Sequence, residues 1–537
     1  MTIKKNLTGR AWAGQLLAMV QRVLQVRRLS GSLVALCALA CSGSGSDGTA
    51  SGAGGTANGT SGSAGSLSAS GGAFSGGGAS AGSAGGSGVS AGGASGGAVG
   101  ASAGNGGASG ANSNAGGAAG SAGAAGASGS AGAGGAAEGP CGASNPATVP
   151  LPVIPERTFQ VTDYGALGDD KTDDTKLLQA ALTAAGDAGG GTVVVPRGTY
   201  LSGPIVMSSG TRLELAAGAT LKMLPMASYG TVTAFITANN AHDIALTGSG
   251  TIEGQGQDWW NALTATPGLK RPQQVSFSNS TRVLIHGVRF QNSPEEHIWV
   301  KGDTDVTVTG ITISTLAVKG QHIPNNTDGV DIGATGVFFC GNDIACGDDN
   351  VVMSGSKIYV AYSKFGVGHG CSIGSITQKG VSDVTVDHVD FDGTTSGIRM
   401  KSARDRGGLV QNLSYTNLTL KNVQNPVYIT SYYPSLPTDP KSDPAQAVSA
   451  TTPYWKNITI KNVTITGSAN AGILWGLPES KIETLTFDNV QIQAKTGMEI
   501  FHASGVSFSN GSSVTPTSGA AVTTYDAAVS GINTTAY

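Results

Sequence analysis

The sequence predicts an all-β fold, a single-stranded right-handed parallel β-helix (a solenoid) that is covered at one end by a short N-terminal capping helix. An eight-residue apolar pattern recurs through residues 150–537, as expected of stacked coils. Helical patterns between the copies are scarce, which argues against a (β/α) barrel. One amphipathic segment precedes the first copy and suits the end cover that a solenoid needs.

The repeat alternates apolar and other residues on both sides of a central turn residue. This period of two predicts two short strands, each with one buried face. The fifth residue is usually Gly or Asn, which tolerate a left-handed backbone and therefore mark a bend. A wide gap between Leu413 and Ile458 holds either a missed coil or an insertion around residues 432–454. The copies begin at Val283, Val306, Val384, Leu413, Ile458 and Leu485, with looser copies at Val337 and Ile358.

The capping helix is predicted just before the first coil. Asp173 and Asp174 offer N-terminal caps, and the helix is expected to end near Gly186. The strand from Thr192 to Val195 then begins the first coil. The apolar stripe of the helix consists of Leu177, Leu178, Ala181 and Leu182.

The residues before this domain divide into two parts. Residues 1–40 are predicted to be a signal peptide, because arginines precede a short apolar run that ends at Cys41. The sequence around the cut fits an ordinary signal-peptidase site and loosely resembles a bacterial lipobox, which would place a lipid on Cys41. Met19 is an alternative start to Met1. We expect the protein to be exported to the outside or the outer cell surface, with a membrane contact only through this lipid.

Residues 41–149 are predicted to form a disordered tether. Of the 84 glycines, 38 lie in this short stretch, and a Gly/Ser/Ala-rich segment buries too little apolar surface to offset its chain entropy. The formal net charge of −3 gives no sign of nucleic-acid binding. Residues 150–537 remain as one folded unit, expected to be a monomer.

Four cysteines remain if Cys41 is lipidated and Cys37 leaves with the signal. An exported protein can pair them in three ways, and their spacing lacks the C-x-x-C pairs of a zinc site. A structural disulfide near the polar residues described next is favoured over thiol catalysis. The four are Cys141, Cys340, Cys346 and Cys371.

The repeat gives a register for a ladder of polar residues. Asp328, Asp349 and His369 each lie four residues before an apolar residue that is expected to face inward, namely Ile332, Met353 and Ile373. The three polar residues should therefore stack on successive coils, about 4.8 Å apart. Like charges so close should raise the pKa of at least one carboxyl group, and glycoside hydrolysis needs one protonated and one ionised carboxyl.

Asp348 needs a local departure from strand geometry. It adjoins Asp349 and would point to the other face of an ideal strand, so its use in the same site requires a bend or bulge at Gly347 and Asp348. The glycines on either side of His369 should leave its ring open to a ligand.

Arg399 and Lys401 lie two residues apart and so share one face of a strand, with Met400 facing the core. Two cations on one face suit a carboxylate-bearing sugar. Tyr428, about one coil further along, adds a hydroxyl and a stacking face.

Each of these residues also has a plainer interpretation. Aspartates at β-helix corners often satisfy turn amides, the aspartate cluster also suits Ca²⁺, and Arg399 with Lys401 could form a solvated face. Convergence of the residues on one ladder favours a catalytic site without a cofactor or metal.

The motifs together resemble those of the polygalacturonases, family-28 glycoside hydrolases of the pectin-lyase-like superfamily. They are Asn326-Thr327-Asp328-Gly329-Val330-Asp331, Gly347-Asp348-Asp349, Gly368-His369-Gly370 and Arg399-Met400-Lys401. The resemblance covers nearly all of residues 150–537. It implies hydrolysis of α-1,4-galacturonosyl linkages in pectin.

The resemblance also implies roles in an inverting mechanism. Asp348 would be the general acid, Asp328 and Asp349 would position and deprotonate water, and His369 would tune the acid. Arg399 and Lys401 would bind the substrate carboxylate, supported by Asn326 and Tyr428. The alternatives are a rhamnogalacturonan or xylogalacturonan hydrolase, a Ca²⁺-dependent pectate lyase and a non-catalytic glycan-binding surface protein.

Overall fold

The computed structural model describes Cys141, residues 149–315 and residues 323–537. The predicted signal peptide and lipid site, and the predicted tether apart from Cys141 and Val149, lie outside the described residues. Within the described ranges, no helix is both long enough and apolar enough to cross a bilayer.

The described chain forms two helices, two short 3-10 turns and 32 strands. The helices are α1 Thr175–Asp187 and α2 Gly256–Ala265, and the 3-10 turns are Val161–Tyr164 and Met226–Ser228. The first strands are β1 Thr158–Gln160, β2 Asp169–Asp173, β3 Gly191–Val195, β4 Gly198–Ser202, β5 Ile205–Val206, β6 Thr211–Leu215, β7 Ala219–Met223, β8 Ile236–Asn239, β9 His242–Gly248, β10 Thr251–Glu253, β11 Val275–Ser278, β12 Thr281–His286, β13 Arg289–Gln291, β14 Ile298–Thr309, β15 Thr312–Ser314 and β16 Val330–Cys340. The others are β17 Asp343–Ala345, β18 Val351–Met353, β19 Ser356–Ala361, β20 Lys364–Phe365, β21 Cys371–Ile373, β22 Val381–Asp387, β23 Asp390–Asp392, β24 Ser396–Lys401, β25 Leu409–Thr416, β26 Thr419–Lys421, β27 Asn425–Thr430, β28 Tyr454–Trp475, β29 Ile482–Ser509, β30 Ser513–Pro516, β31 Val522–Ser530 and β32 Thr535–Ala536.

The strands pair in parallel and form three sheets around one axis, which is the predicted right-handed parallel β-helix. One sheet, here called the front sheet, runs through β8, β11, the first part of β14, the first part of β16, β18, β21, β24, β27 and the last part of β28. The second contains β3, β6, β9, β12, β19, β22 and β25. The third contains β4, β7, β10, β13, β15, β17, β20, β23 and β26.

The core is a set of apolar stacks that continue from coil to coil. Ile332 pairs with Met353 on the next coil, and Ile373 pairs with Met400. All four side chains are fully buried, so the predicted inward positions and the predicted register are confirmed.

The bend between the two strands of each repeat is also confirmed. The fifth residue has a positive φ in all six clear copies, at Gly287, Gly310, His388, Asn417, Asn462 and Asn489. The looser copies bend in the same way at Gly341 and Tyr362. Leu413 pairs directly with Ile458, so the wide gap between these copies holds an insertion rather than a missed coil.

Helix α1 covers the first coils with a face that includes Leu178, Ala181 and Leu182, as predicted. Its N-terminus differs in detail, because the carboxylate of Asp174 accepts hydrogen bonds from the amides of Leu167 and Gly168 rather than from the helix. The sequence analysis did not predict α2, whose two tryptophans, Trp259 and Trp260, are buried in the core.

One disulfide joins Cys141 to Cys340. It therefore fixes a residue of the predicted tether to the end of β16. Cys346 and Cys371 are buried free thiols, so the disulfide does not lie between the two cysteines nearest the predicted site.

Candidate active site

The predicted ladder lies just before three neighbouring strands of the front sheet. The pairing of Val330 with Val351, and of Val351 with Cys371, continues backwards to Asp328, Asp349 and His369. Backbone hydrogen bonds extend this register, since Gly329 donates to the carbonyl of Asp349 over 2.9 Å. The predicted stacking of the three residues on successive coils is confirmed.

The chain bends at Gly347 and Asp348, as the sequence analysis required. A Cβ on Gly347 would lie 2.2 Å from Oγ1 of Thr327 and 2.3 Å from Cγ2 of Ile323, so only glycine fits the bend. The buried thiol of Cys346 donates to the carbonyls of Asp348 and Asp349 over 3.3 and 3.4 Å. Both carboxylates therefore point to the front sheet although they are adjacent in the chain.

Asp348 is held by two groups. Its Oδ1 lies 2.7 Å from Nδ1 of His369, and its Oδ2 accepts a hydrogen bond from the amide of Asn326 over 2.8 Å. Burial raises the pKa of Asp348, but these two hydrogen bonds and the nearby charge of Lys401 together outweigh burial and lower the pKa to about 2. Asp348 therefore loses its proton more readily than an ordinary carboxyl group.

Asp349 is almost fully buried and every side-chain oxygen has a partner. Its Oδ1 accepts hydrogen bonds from the Ser372 hydroxyl at 2.6 Å and from the Arg399 guanidinium. Its Oδ2 accepts one from Nζ of Lys401 at 2.8 Å. Arg399 and Lys401 thus face the site, as predicted, and they contact Asp349 in the absence of a ligand.

Asp328, in contrast to Asp349, lacks a partner within the described part of the chain for one of its carboxylate oxygens. Its Oδ1 is buried and has no hydrogen-bond partner among the described residues. Its backbone carbonyl is fixed by the fully buried ring of His297, whose Nδ1 lies 2.8 Å away, and by the His297 amide at 3.0 Å. Burial lowers the pKa of His297 to about 4, so the ring is neutral and Nδ1–H donates to the carbonyl.

The pKa of Asp328 is raised well above its ordinary value. Burial is the largest cause, and the charges of Asp331, Asp348 and Asp349 add to it. The sequence analysis predicted a raised carboxyl pKa from like charges alone, and the structure ranks burial first.

The glycines around His369 have a different purpose from the predicted one. Gly370 has a φ of 81°, and a Cβ there would lie 2.1 Å from the carbonyl oxygen of Ser396. These glycines therefore permit close backbone packing between coils. The side chain of His369 is 27% exposed, which leaves part of its ring accessible.

A cavity of about 360 Å³ adjoins the three aspartates, whereas His369 and Arg399 do not line it. Asn326, Asp328, Asp348, Asp349 and Lys401 line it. Tyr428 pairs with Arg399 on the neighbouring strand, one coil further as predicted, but it does not line the cavity.

Three further residues with ionisable side chains line the cavity and were not predicted as site residues. They are Glu296, Asp331 and Tyr433. Asp331 could have been found, because it precedes the inward Ile332 and must therefore face outward. Tyr433 belongs to the insertion, whose conformation has no repeat to reveal it.

The chemistry of the site is that of several carboxyl groups in different protonation states. The pKa of Asp331 and that of Glu296 are raised by burial, as is that of Asp328. Asp348 and Asp349 also form, with His369, a group whose ligand atoms lie within 4.8 Å of one another. A cation there would compete with Arg399 and Lys401 for Asp349, which disfavours a metal site.

Comparison with known proteins agrees with this geometry. The model of Glycosyl hydrolases family 28 matches residues 186–512. The chain is 30% identical over 397 residues to an endo-polygalacturonase of Pectobacterium carotovorum subsp. carotovorum, covering 67% of this chain and 92% of the relative. It is 31% identical to an endo-polygalacturonase of Pectobacterium parmentieri over the same length and shares.

Solved structures give the same result. A polygalacturonase from Erwinia carotovora ssp. carotovora is 28% identical with a TM-score of 0.54, covering 66% of this chain and 98% of that one. An exopolygalacturonase from Thermotoga maritima is 21% identical with a TM-score of 0.55, covering 65% of this chain and 92% of that one, and it supports the fold alone. With its family match, its relatives and its carboxylate ladder, the chain belongs to family 28 of the glycosyl hydrolases.

Proposed function

We propose that this protein hydrolyses α-1,4-galacturonosyl linkages of polygalacturonan with inversion at the anomeric carbon. The observation that carries the proposal is the pair formed by Asp348 and His369, 2.7 Å apart, beside a carboxyl group, Asp328, with a raised pKa. Glycoside hydrolysis requires this combination of a proton donor and a proton acceptor.

Asp348 donates the proton to the leaving glycosidic oxygen. Because its own pKa is low, we assign the proton to the pair that Asp348 forms with His369, 2.7 Å away: the pair delivers it through Asp348 when the glycosidic oxygen begins to gain charge. Closely coupled groups titrate as a unit, so the pair rather than one residue sets the acidity.

Asp328 accepts the proton of the attacking water. A carboxylate with a raised pKa is a stronger base than an ordinary one. Its Oδ1 has no partner among the described residues, which leaves it free for a water. Asp349, held by Arg399 and Lys401, positions that water.

Arg399 and Lys401 bind the carboxylate of a galacturonosyl unit. Each has further N–H donors besides the one that contacts Asp349. Asn326 lines the same cavity, and Tyr428 lies beside Arg399. These residues supply the subsites next to the bond that is cleaved.

A Ca²⁺-dependent lyase reaction is the weaker reading of the same residues. Both oxygens of Asp349 accept hydrogen bonds from cations, so a Ca²⁺ ion would have to displace a lysine and an arginine. An oxygen-rich calcium site does not contain such cations. A glycan-binding protein without turnover would need no acid and base of unequal pKa.

We also propose that the protein is exported and held at the outer cell surface by a lipid on Cys41. The short apolar segment before Cys41 and the Gly/Ser/Ala-rich segment after it support this. Metabolic labelling with a radioactive fatty acid, followed by Cys41→Ala, tests it: the label should disappear and the protein should be released.

The test of function measures reducing ends and product stereochemistry with polygalacturonic acid. Wild-type protein should release reducing ends without an ultraviolet-absorbing double bond, equally well in excess chelator. Proton NMR of the first products should show the β-anomer, since the bond is α. Asp348→Asn should lower kcat by roughly 10²- to 10⁴-fold, the usual contribution of a general acid.

The matched control is Asp390→Asn. Asp390 lies on the third sheet, on β23, and is exposed, so its loss should leave activity unchanged. Unsaturated products would establish the lyase reading, and binding without products would establish the glycan-binding one. Full activity of Asp348→Asn would refute the assignment of the acid.

A further inference from the structure

The face of the front sheet carries two outward rows of side chains that run along the β-helix axis. One row consists of Lys301 on β14, Gly333 on β16, Ser354 directly after β18, Gly374 directly after β21, and Lys401 on β24. The three residues between the two lysines are small. The row therefore forms a shallow trough with a lysine at each end.

The second row lies two residues earlier on the same strands. Its members are Trp299, Asp331, Val352, Ser372 and Arg399, followed by Tyr428 on β27. One end thus presents Arg399 and Lys401, and the other presents Trp299 and Lys301. Both ends lie two strands from β18, the strand that follows the catalytic Asp349.

Trp299 and Lys301 have no part in the chemistry described above. The Trp299 ring is half-buried and Lys301 is exposed on the outer face of β14. Nζ of Lys301 lies 4.8 Å from the centre of the indole ring. Lys301 forms no ion pair with any other described residue, so its charge is available to an anion.

We propose that Trp299 and Lys301 form a distal subsite that binds one uronosyl unit of the polysaccharide on the side of the cleavage point opposite Lys401. This rests on the proposed function. Strands are about 4.8 Å apart, close to the length of one sugar unit, so a chain lying along the trough presents one unit to each strand. A chain that spans Arg399 and the catalytic carboxylates then reaches Trp299.

Trp299 and Lys301 would recognise different parts of the uronosyl unit. The indole provides a flat apolar face for the sugar ring, and the ammonium provides a point charge for the carboxylate. Lys301 has a flexible four-carbon stem and can turn from the indole ring to the incoming carboxylate. Asp331 adjoins Trp299 on the next strand, so without Lys301 the carboxylate would meet only a like charge.

The experiment measures kcat/KM on purified galacturonate oligomers of increasing length for wild type, Trp299→Ala, Trp299→Phe and Lys301→Met. Oligomers too short to reach β14 should react as in wild type. On longer oligomers, Trp299→Ala should lose roughly two- to tenfold, the usual worth of an aromatic contact. Trp299→Phe should recover most of this, and the Lys301→Met loss should shrink at high salt because salt screens exposed charges.

Lys421→Met is the matched control, because Lys421 is exposed on β26 of the third sheet, away from the trough. It should behave as wild type at every length. An equal fractional loss at all lengths for Trp299→Ala, or no loss at any length, would overturn the subsite.

Failure of the proposed function would look different, since wild-type protein would then hydrolyse no oligomer. In that case, calorimetric titration of the wild-type protein with a long galacturonate oligomer decides the matter. Weaker binding by both Trp299→Ala and Lys301→Met would support the subsite by itself. Unchanged binding would reject it.

Discussion

Two polar ladders run along this β-helix and have opposite energetics. At the corner between the second and third sheets, the amide of Asn489 donates to Asn462 over 3.0 Å and that of Asn462 donates to Asn417 over 3.1 Å. On the front sheet, Asp328 is stacked on Asp349, and its Oδ1 has no partner among the described residues. The chain therefore stacks polar residues in both places, but of the two ladders only the one on the front sheet contains a buried carboxylate oxygen without a partner among the described residues.

The difference follows from the side chains. An amide carries both donors and an acceptor, so a column of asparagines can satisfy itself, whereas ionised carboxylates only accept. A column of carboxylates must find cations, as Asp349 does, or titrate with a raised pKa, as Asp328 does. The corner ladder stabilises the coils, and the front ladder stores the unfavourable interactions that give its members different pKa values.

Removing Asp349, the carboxylate of the front ladder whose oxygens both have partners, should have the largest effect on stability and activity. Asp349→Asn leaves Lys401, whose side chain is only 7% exposed, buried without its counter-charge. Breaking a buried pair in this way costs about 3–5 kcal/mol. Urea unfolding should show this loss, together with nearly complete loss of polygalacturonate hydrolysis.

The double variant Asp349→Asn with Lys401→Met provides the control. If the buried charge causes the loss, the double variant should be more stable than Asp349→Asn alone. A double variant at least as unstable as the sum of the single variants would show that Asp349 acts through packing instead.

Removing a carboxylate that has an unpartnered oxygen should raise the stability of the fold instead of lowering it. Burial is the largest cause of the raised pKa of Asp331 in the folded protein. The contribution of its protonated form to stability is therefore fully present below the unfolded-state pKa. That contribution is lost as the pH rises through the folded-state pKa. Asp331→Asn should therefore stabilise the protein at pH 7, on the order of 1 kcal/mol or more, since one pKa unit is worth about 1.4 kcal/mol. Thermal unfolding at pH 7 and at pH 3 checks this, and the gain should vanish at pH 3.

The same variant should shift the pH dependence of catalysis. The charge of Asp331 is the largest cause after burial of the raised pKa of Asp328. If ionised Asp328 is the base, the acid limb of kcat/KM should move to lower pH in Asp331→Asn. An acid limb that stays in place would remove Asp328 from the role of base, whatever happens to the overall rate.

The sequence predicted one of these ladders more completely than the other. Period-two alternation fixed the inward Ile332 and Met353, and the same register placed Asp328 above Asp349. The bend at Gly347 followed from the need to bring Asp348 to the same face. These features are local or repeat-based, so they can be read from spacing.

Other features depend on contacts between distant segments. Tyr433 reaches the cavity from an insertion that has no repeat, and the pairing of Cys141 with Cys340 spans 199 residues. The low pKa of Asp348 depends on the amide of Asn326, which comes from a turn 22 residues earlier. Spacing alone does not determine such contacts.

The smallest expected effect comes from giving the corner ladder the chemistry of the front ladder. In Asn462→Asp the new carboxylate can still accept from Asn489 but can no longer donate to Asn417, so two oxygens face each other. Because the position is exposed, the loss of stability at pH 7 should be under about 1 kcal/mol. In acid the protonated carboxyl regains a donor, so the loss should shrink as the pH falls.

Asn462→Gly separates the contribution of the backbone conformation from that of the amide hydrogen bonds. It keeps the left-handed backbone that the corner needs but removes the amide. Whatever the size of its loss of stability, that loss should not vary with pH. A pH-independent loss in Asn462→Asp as well would mean that backbone conformation, rather than the self-satisfying amides, distinguishes the two ladders.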